Sequence, residues 1–153
     1  MGVKKRRFNL ALAPHALRAR TSFLVARLAT LLRRRCAERL RELNITVQHY
    51  AVLCCLQDFG RCCNSDLVRW TGIDASDLIP ILNALESRMC VGRDRKDSDQ
   101  RQAELSLSHF GRELRARAER ALEEAEDEAF LALASDERVA LRDLLARVVD
   151  GDG

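Results

Sequence analysis

The residues best suited to chemistry lie in the stretch VGRDRKDSDQRQAELSLS, positions 91–108. Arg93, Arg95, Lys96 and Arg101 stand there among Asp94, Asp97 and Asp99, with almost no apolar side chain between Val91 and Ala103. Cationic groups held out on a polar loop suit a polyanion, because Lys and Arg displace the counterions of a phosphate backbone. The other reactive types are Cys36, Cys54, Cys55, Cys62, Cys63 and Cys90, with no CxxC pair of the zinc or redox kind. Cys36, Cys54, Cys55, Cys62 and Cys90 fall on stripes or inside elements where a small apolar residue is expected, and they read as packing groups. Cys63 differs. It sits near the start of a short helix, where the helix dipole lowers a thiol pKa, so it is the candidate redox residue, with Cys54, Cys55 and Cys62 as partners in a thiol or metal sensor.

Other constellations point away from catalysis. There is no phosphate loop, no GxGxxG, no HExxH and no nucleophile elbow, and the neighbours Ser108 and His109 do not make a triad. The chain is not expected to be an enzyme. His15, His49 and His109 are too far apart to form a ligand motif, so no metal and no cofactor are expected. The acidic run EEAEDE, 123–128, reads as a solvated helix face.

The elements that must position these groups follow from periodicity. Leu24, Leu28, Leu31, Leu32, Cys36, Leu40 and Leu43 form one helical stripe, predicting a first helix from Pro14, in its first turn, to about Leu43. Thr46 can cap a second helix, Val47 to Phe59, closed by Gly60 as a left-handed C-cap. A short third helix, about Ser65 to Thr71, is capped by Asn64 or Ser65 and ends at Gly72. Asp74 opens a fourth, Ala75 to Arg88, with Leu78, Ile81, Leu82, Leu85 and Met89 facing inward. Two strands follow, about Val91 to Arg95 and Ala103 to Leu107, the second with clear two-residue alternation. Ser108 caps a long fifth helix whose apolar side carries Phe110, Leu114, Ala118, Ala121, Leu122, Ala125 and Ala129. Ser135 caps a sixth, Asp136 to Val149.

Two helices joined by the turn Thr71-Gly72-Ile73-Asp74, then a hairpin, make a winged helix-turn-helix: one helix fits a major groove and the hairpin tip reaches phosphates beside it. The fold class is therefore mainly α, with a two-stranded β hairpin and long N- and C-terminal dimerisation helices. The 153 residues read as one chain-long unit, with residues 45–108 the winged DNA-binding part and 14–43 and 109–149 the helical dimerisation part. The long helices have apolar stripes without an evident partner in the chain. A second copy would cover them and set two reading helices on one face, as a palindromic site on double-stranded DNA requires.

Charge agrees with that partner. Residues 1–70 hold 14 Lys/Arg and 4 Asp/Glu, residues 71–122 hold 9 of each, and residues 123–153 hold 3 and 10, giving the net +3. A basic front and an acidic end suit one face meeting a polyanion. No apolar run reaches membrane-spanning length. The start reads as a basic arm rather than an export signal, so a cytoplasmic location and no membrane partner are expected.

The pieces LNITVQHYAVL (43–53), SDLVRWTGIDASDLIPILNALESR (65–88), RDRKDSDQRQAELSLS (93–108) and SDERVALRDLL (135–145) together resemble the MarR (multiple antibiotic resistance regulator) family of bacterial transcription factors. The resemblance spans roughly residues 20–149. Its most specific element is the D-x-R of Asp99 and Arg101, followed by L-x-L-S and Gly111. It implies a homodimeric winged-helix regulator, usually a repressor, that releases DNA on binding a small aromatic or anionic effector. Asp99 and Arg101 would be the pair that holds the wing, with Arg95, Lys96 and then Arg93 reaching DNA. Effector residues would be Phe23, Arg27, Val47, Tyr50 and Trp70, Arg27 pairing with an anion. In the peroxide-sensing branch the reactive Cys lies early in the first helix; Ser22 holds that place here.

The reading helix departs from many relatives. Its outward residues Ser76, Asp77, Pro80, Asn83, Ala84 and Ser87 include no Lys or Arg. Asn83 can read adenine, Pro80 can touch a thymine methyl, and Asp77 can accept from cytosine. Ser65, Arg69 and Arg88 flank the helix, Arg69 and Arg88 as phosphate anchors. Two alternatives stay open on the sequence: a ligand- or protein-binding module on the same scaffold with weak sequence-specific reading, and the cysteine-based sensor.

Overall fold

The structure is a computed structural model that describes residues 8–94 and 104–151. A 3-10 turn at Leu10–Leu12 and a short helix α1 (His15–Arg18) lead into α2 (Thr21–Arg41). Then come α3 (Val47–Phe59), α4 (Asn64–Thr71) and α5 (Ala75–Ser87). Strands β1 (Val91–Asp94) and β2 (Glu104–Leu107) precede α6 (His109–Ala129) and α7 (Ser135–Asp150). The architecture is the mainly α winged helix-turn-helix expected from the sequence.

The first long helix is interrupted. Pro14 caps α1 from outside at φ −53° and ψ 142° rather than sitting in a first helical turn, and Arg20 is extended at φ −97° and ψ 117°. An unbroken helix from Pro14 would carry the preceding arm about 14 Å along the axis from Phe23. The break turns the arm back instead, so that the Phe8 ring meets Phe23 edge-on at 6.1 Å and lies 3.7 Å beneath the Arg27 guanidinium.

α3 begins as its sequence dictates. The Thr46 hydroxyl accepts from the His49 N–H, and His49 Nδ1 accepts from the Thr46 N–H at 3.3 Å, a reciprocal cap. Gly60 has a positive φ of +79°, but its ψ of −144° is extended, not left-handed helical. That conformation suits glycine alone and sends the chain to Cys62, which pairs with Leu105 through N–H···O bonds of 3.2 and 2.8 Å as a third, one-residue strand.

α4 is capped by Cys63, not Asn64 or Ser65: the Asp66 carboxylate accepts the Cys63 N–H at 3.1 Å. Gly72 ends it in the left-handed region at φ +67° and ψ 12°. The Thr71 hydroxyl donates to the Leu67 carbonyl at 2.6 Å and accepts from the Ile73 N–H at 3.2 Å. Ile73 is buried, so the turn between α4 and α5 is locked by both bonds and packing.

α5 buries Leu78, Ile81, Leu82 and Leu85 as expected, but Met89 points to solvent. Met89 adopts φ +56°. Its N–H bonds Glu86 O at 2.8 Å while the Cys90 N–H bonds Leu85 O at 2.9 Å, the two-bond Schellman close of a helix. That reversal turns Met89 outward and buries Cys90 in its place.

β1 and β2 pair antiparallel, Val91 with Leu107, Gly92 with Ser106, Arg93 with Leu105 and Asp94 with Glu104. Ser108 caps α6, accepting from the Gly111 N–H at 3.0 Å and donating to Met89 O at 2.6 Å. α6 faces inward through Gly111, Leu114, Ala118 and Ala125, whereas Phe110, expected on that side, is exposed. α6 packs along α2, where Arg35 donates to Glu128 at 3.0 Å and Arg39 pairs with both Glu128 and Glu124. The cap of α7 is Ala134 rather than Ser135, its N–H held by Glu137 at 2.8 Å.

One core joins these elements: Leu40, Ile45, Val52, Leu53, Leu56 and Leu67 pack with the inner face of α5, with Val91 and Leu105 of the hairpin, and with Leu114 and Ala118. Among the described residues no helix is long and apolar enough to cross a membrane.

Candidate nucleic-acid interface

The inward stripe of α5 leaves its opposite side in water. Ser76, Asp77, Pro80 and Asn83 are all exposed, with Ser87 at the end and Ala84 half-buried. Ile79, which the sequence reading passed over, is exposed as well and adds an apolar group to this face. Pro80 lies inside the helix and cannot donate to the Ser76 carbonyl, but Ser76 is exposed and water can serve that oxygen. Ser65 and Arg69 are exposed on α4, where Arg69 pairs loosely with Asp66 at 3.4 Å. Arg88, at the end of α5, donates to the Asn44 carbonyl at 3.2 Å and remains exposed.

The hairpin is tied to the reading helix by Arg93. Its Nε and Nη2 reach Glu86 Oε1 at 2.8 and 2.6 Å. Arg93 was a candidate contact to DNA; in the folded chain its guanidinium is engaged with α5 and acts as a strut between wing and helix. Arg61, which the sequence reading did not single out, pairs with Asp94 at 3.0 Å and approaches Glu104 at 3.8 Å. No local signal marks Arg61, because its partners are thirty-three and forty-three positions away in the chain. Arg95, Lys96, Asp99 and Arg101 lie outside the described residues.

The five candidate effector residues are distributed over the molecule. Phe23 and Arg27 share one cluster with Phe8, and the buried Arg27 Nε has no hydrogen-bond acceptor among the described residues. Tyr50 packs on the core; burial and then its hydrogen bond with Cys54 push its hydroxyl pKa up. Val47 begins α3 and is exposed, while Trp70 stacks on Phe59 at the other end of that helix, ring centroids 4.4 Å apart. The rise of α3 separates Val47 from Phe59 by about 18 Å. Phe23 and Arg27 thus come together, and Val47 and Trp70 do not.

Burial raises the thiol pKa of Cys36, Cys55 and Cys90, and that of Cys62 to about 11. These four stay protonated near neutrality and serve as packing groups. Cys63 Sγ lies 2.9 Å from Ser65 Oγ and donates to Asp66 Oδ2 at 3.0 Å. That bond, with the one from the Cys63 N–H, holds the Asp66 carboxyl below its ordinary range.

A helix-turn-helix with an exposed second helix and a hairpin strutted to it defines a winged-helix protein. Solved structures share this fold. BpsR of Bordetella bronchiseptica, in a structure on regulation of its DNA binding by 6-hydroxynicotinic acid, matches with TM-score 0.73 at 25% identity, over 90% of this chain and 99% of that one. A probable transcriptional regulator from Pseudomonas aeruginosa matches with TM-score 0.69 at 27% identity, over 86% and 98%. Apo MarR from E. coli matches with TM-score 0.73 at 22% identity, over 84% and 96%, and a mutant of it complexed with operator DNA with TM-score 0.69 at 23% identity, over 83% and 91%. No protein-family model and no curated protein matches the sequence. The chain shares the fold of E. coli MarR and of these regulators.

Proposed function

We propose that the protein is a DNA-binding transcriptional regulator, a homodimeric repressor relieved by a small aromatic or anionic ligand. The observation that carries this reading is the Arg93–Glu86 strut, which makes the exposed face of α5 and the hairpin one rigid unit able to meet a duplex together. In this reading residues 45–108 form the DNA-binding part. Ser76, Asp77, Pro80 and Asn83 face base edges, Ser65, Arg69 and Arg88 flank them, and Arg95, Lys96 and Arg101 supply wing cations held by the Asp99–Arg101 pair. Residues 14–43 and 109–149 form the dimerisation part, a role supported by α7, which buries no residue while Leu144, Val148 and Val149 are exposed. BpsR and the operator complex of E. coli MarR support the assignment by likeness. The Nε of Arg27, buried without an acceptor among the described residues, supports an acidic effector group beside Phe23.

The test is binding to the DNA flanking its own gene, measured by anisotropy over a salt series. The expected result is protection of a palindrome and a steep fall in affinity with salt, since each neutralised phosphate adds close to one unit to the log–log slope. Affinity indifferent to salt overturns the reading. A second reading, a ligand- or protein-binding module with weak base reading, is favoured by one feature: α5 carries no Lys or Arg and presents Asp77 outward. A single high-affinity site recovered from a genome-fragment selection would exclude it.

A further inference from the structure

Ser76, Pro80, Asn83 and Ser87 recur at i, i+4, i+7 and i+11 of α5 and form one exposed stripe. Ile79 borders it, three positions after Ser76 and four before Asn83. Of the large apolar side chains of α5, Leu78, Ile81, Leu82 and Leu85 are buried, and Ile79 alone stands in water, 55% exposed. The Asn83 amide has no intrachain partner among the described residues. The Ser87 hydroxyl already donates to the Ala84 carbonyl at 2.9 Å. That surface does not suit a phosphate: it holds no Lys or Arg, and Asp77 stands beside it. The cations just beyond the helix are engaged, Arg88 with the Asn44 carbonyl and Arg93 with Glu86. Guanine is also poorly matched, because its O6 and N7 acceptors call for Arg or Lys. The major-groove edge of an A·T pair fits on both counts. Adenine N6 and N7 take a bidentate amide, and the thymine C5-methyl takes an apolar contact.

We propose that α5 selects A·T pairs, with Asn83 on adenine and Ile79 and Pro80 against a thymine methyl, and that Ile79 is a specificity-determining residue. This rests on the DNA-binding reading above and adds to it the base pairs that the reading helix accepts. Side chains at i and i+4 lie about 5–6 Å apart, against about 3.4 Å per base pair. The adenine and the thymine methyl therefore belong to pairs one or two steps apart. Asp77, off the stripe, leaves cytosine acceptable only at its edge.

The experiment selects a duplex from a random pool with the full-length wild type, then measures affinity at fixed salt. The duplexes compared are the selected one, versions with A·T changed to G·C in each half-site, and versions with uracil for thymine there, which removes only the methyl. Asn83→Ala and Ile79→Ala are measured alongside, with thermal melts of each. The selected half-sites should share neighbouring A·T pairs, and changing them should weaken wild type about tenfold or more. Uracil should weaken wild type about fourfold and leave Ile79→Ala unaffected. Asn83→Ala should lose the preference for A·T at one position and keep the wild-type salt slope. Both variants should melt as wild type does, since both side chains lie in solvent. Half-sites with a G·C core overturn the proposal, and so does wild-type affinity that ignores uracil. Salt-dependent binding with no selected sequence also overturns it, leaves the DNA-binding reading standing and returns this face of α5 to a protein or ligand partner. Wild type that binds no DNA refutes the underlying reading itself.

Discussion

α5 and α7 are amphipathic helices of similar length, 13 and 16 residues, with opposite fates. α5 buries Leu78, Ile81, Leu82 and Leu85 against α3, α4 and the hairpin. α7 has as many large apolar side chains, yet none is buried, and Val139, Leu144, Leu145, Val148 and Val149 are exposed. The same contrast separates the winged part from the N-terminal arm, α1 and the start of α2, where Leu12, Leu17, Leu24 and Val25 are exposed. An apolar stripe is satisfied only where the chain brings a second surface to it. The winged part supplies its own, and the terminal helices carry a demand that a second molecule can meet.

The comparison breaks first at its closed side. Leu82→Ala, at a position with no solvent exposure, should cost about 2–5 kcal/mol and lower the melting temperature accordingly. A cost under about 1 kcal/mol would mean that the winged part is less closed than its packing implies. On the open side, the melting temperature of the wild type should rise with protein concentration, as linkage to dimerisation requires. Leu144→Asp with Val148→Asp should abolish that dependence and yield a monomer by sedimentation. A melting point already independent of concentration would leave the exposed face of α7 without its proposed cover.

Smaller effects probe the seam where α6 leaves the winged part. A Cβ at Gly111 would run into the Cys90 carbonyl and Leu107 Cδ1, so Gly111→Ala should destabilise by about 1–3 kcal/mol in chemical denaturation. Ser108→Ala removes the cap bond from the Gly111 N–H and the bond to Met89 O, a loss of about 1 kcal/mol by the same assay. The smallest effect follows pH. Burial, then the Arg88 charge, lower the His49 pKa below its ordinary 6.5. The folded state therefore favours the neutral ring, and its contribution is present above pH 6.5 and lost as pH falls below that value. Protonated Nδ1 can no longer accept from the Thr46 N–H, so amide exchange at the start of α3 should quicken on acidification. His49→Gln should flatten that response; a wild type whose exchange ignores pH once the intrinsic rate is removed contradicts it.

Much of the fold was legible because its signals are local. The Thr46 cap, the bounds of α3, the Gly72 turn, the α5 stripe and the alternation of β2 each lie within a few residues. Features that failed to show were either disguised or remote. Met89 holds a left-handed close normally marked by glycine, so the α5 stripe seemed to run one residue further than it does. The break before α2 accompanies the return of Phe8 to Phe23 and Arg27, a contact no helical period records. Of the candidate site, the outward face of α5 could be read from the complement of its stripe. The engagement of Arg93 with Glu86 could not, since it depends on how the hairpin folds under the helix.

The sequence by itself determined most of where helices and strands form and, for most of them, which side seeks burial, because caps, glycine conformations and apolar periods act over a turn or a strand. The tertiary structure alone decided which charges meet: Arg93 with Glu86, Arg61 with Asp94 and Glu104, Arg35 and Arg39 with Glu128. Arginine is equally at home on any solvated face, so its partner is chosen by the geometry that packing imposes and not by its place in the chain.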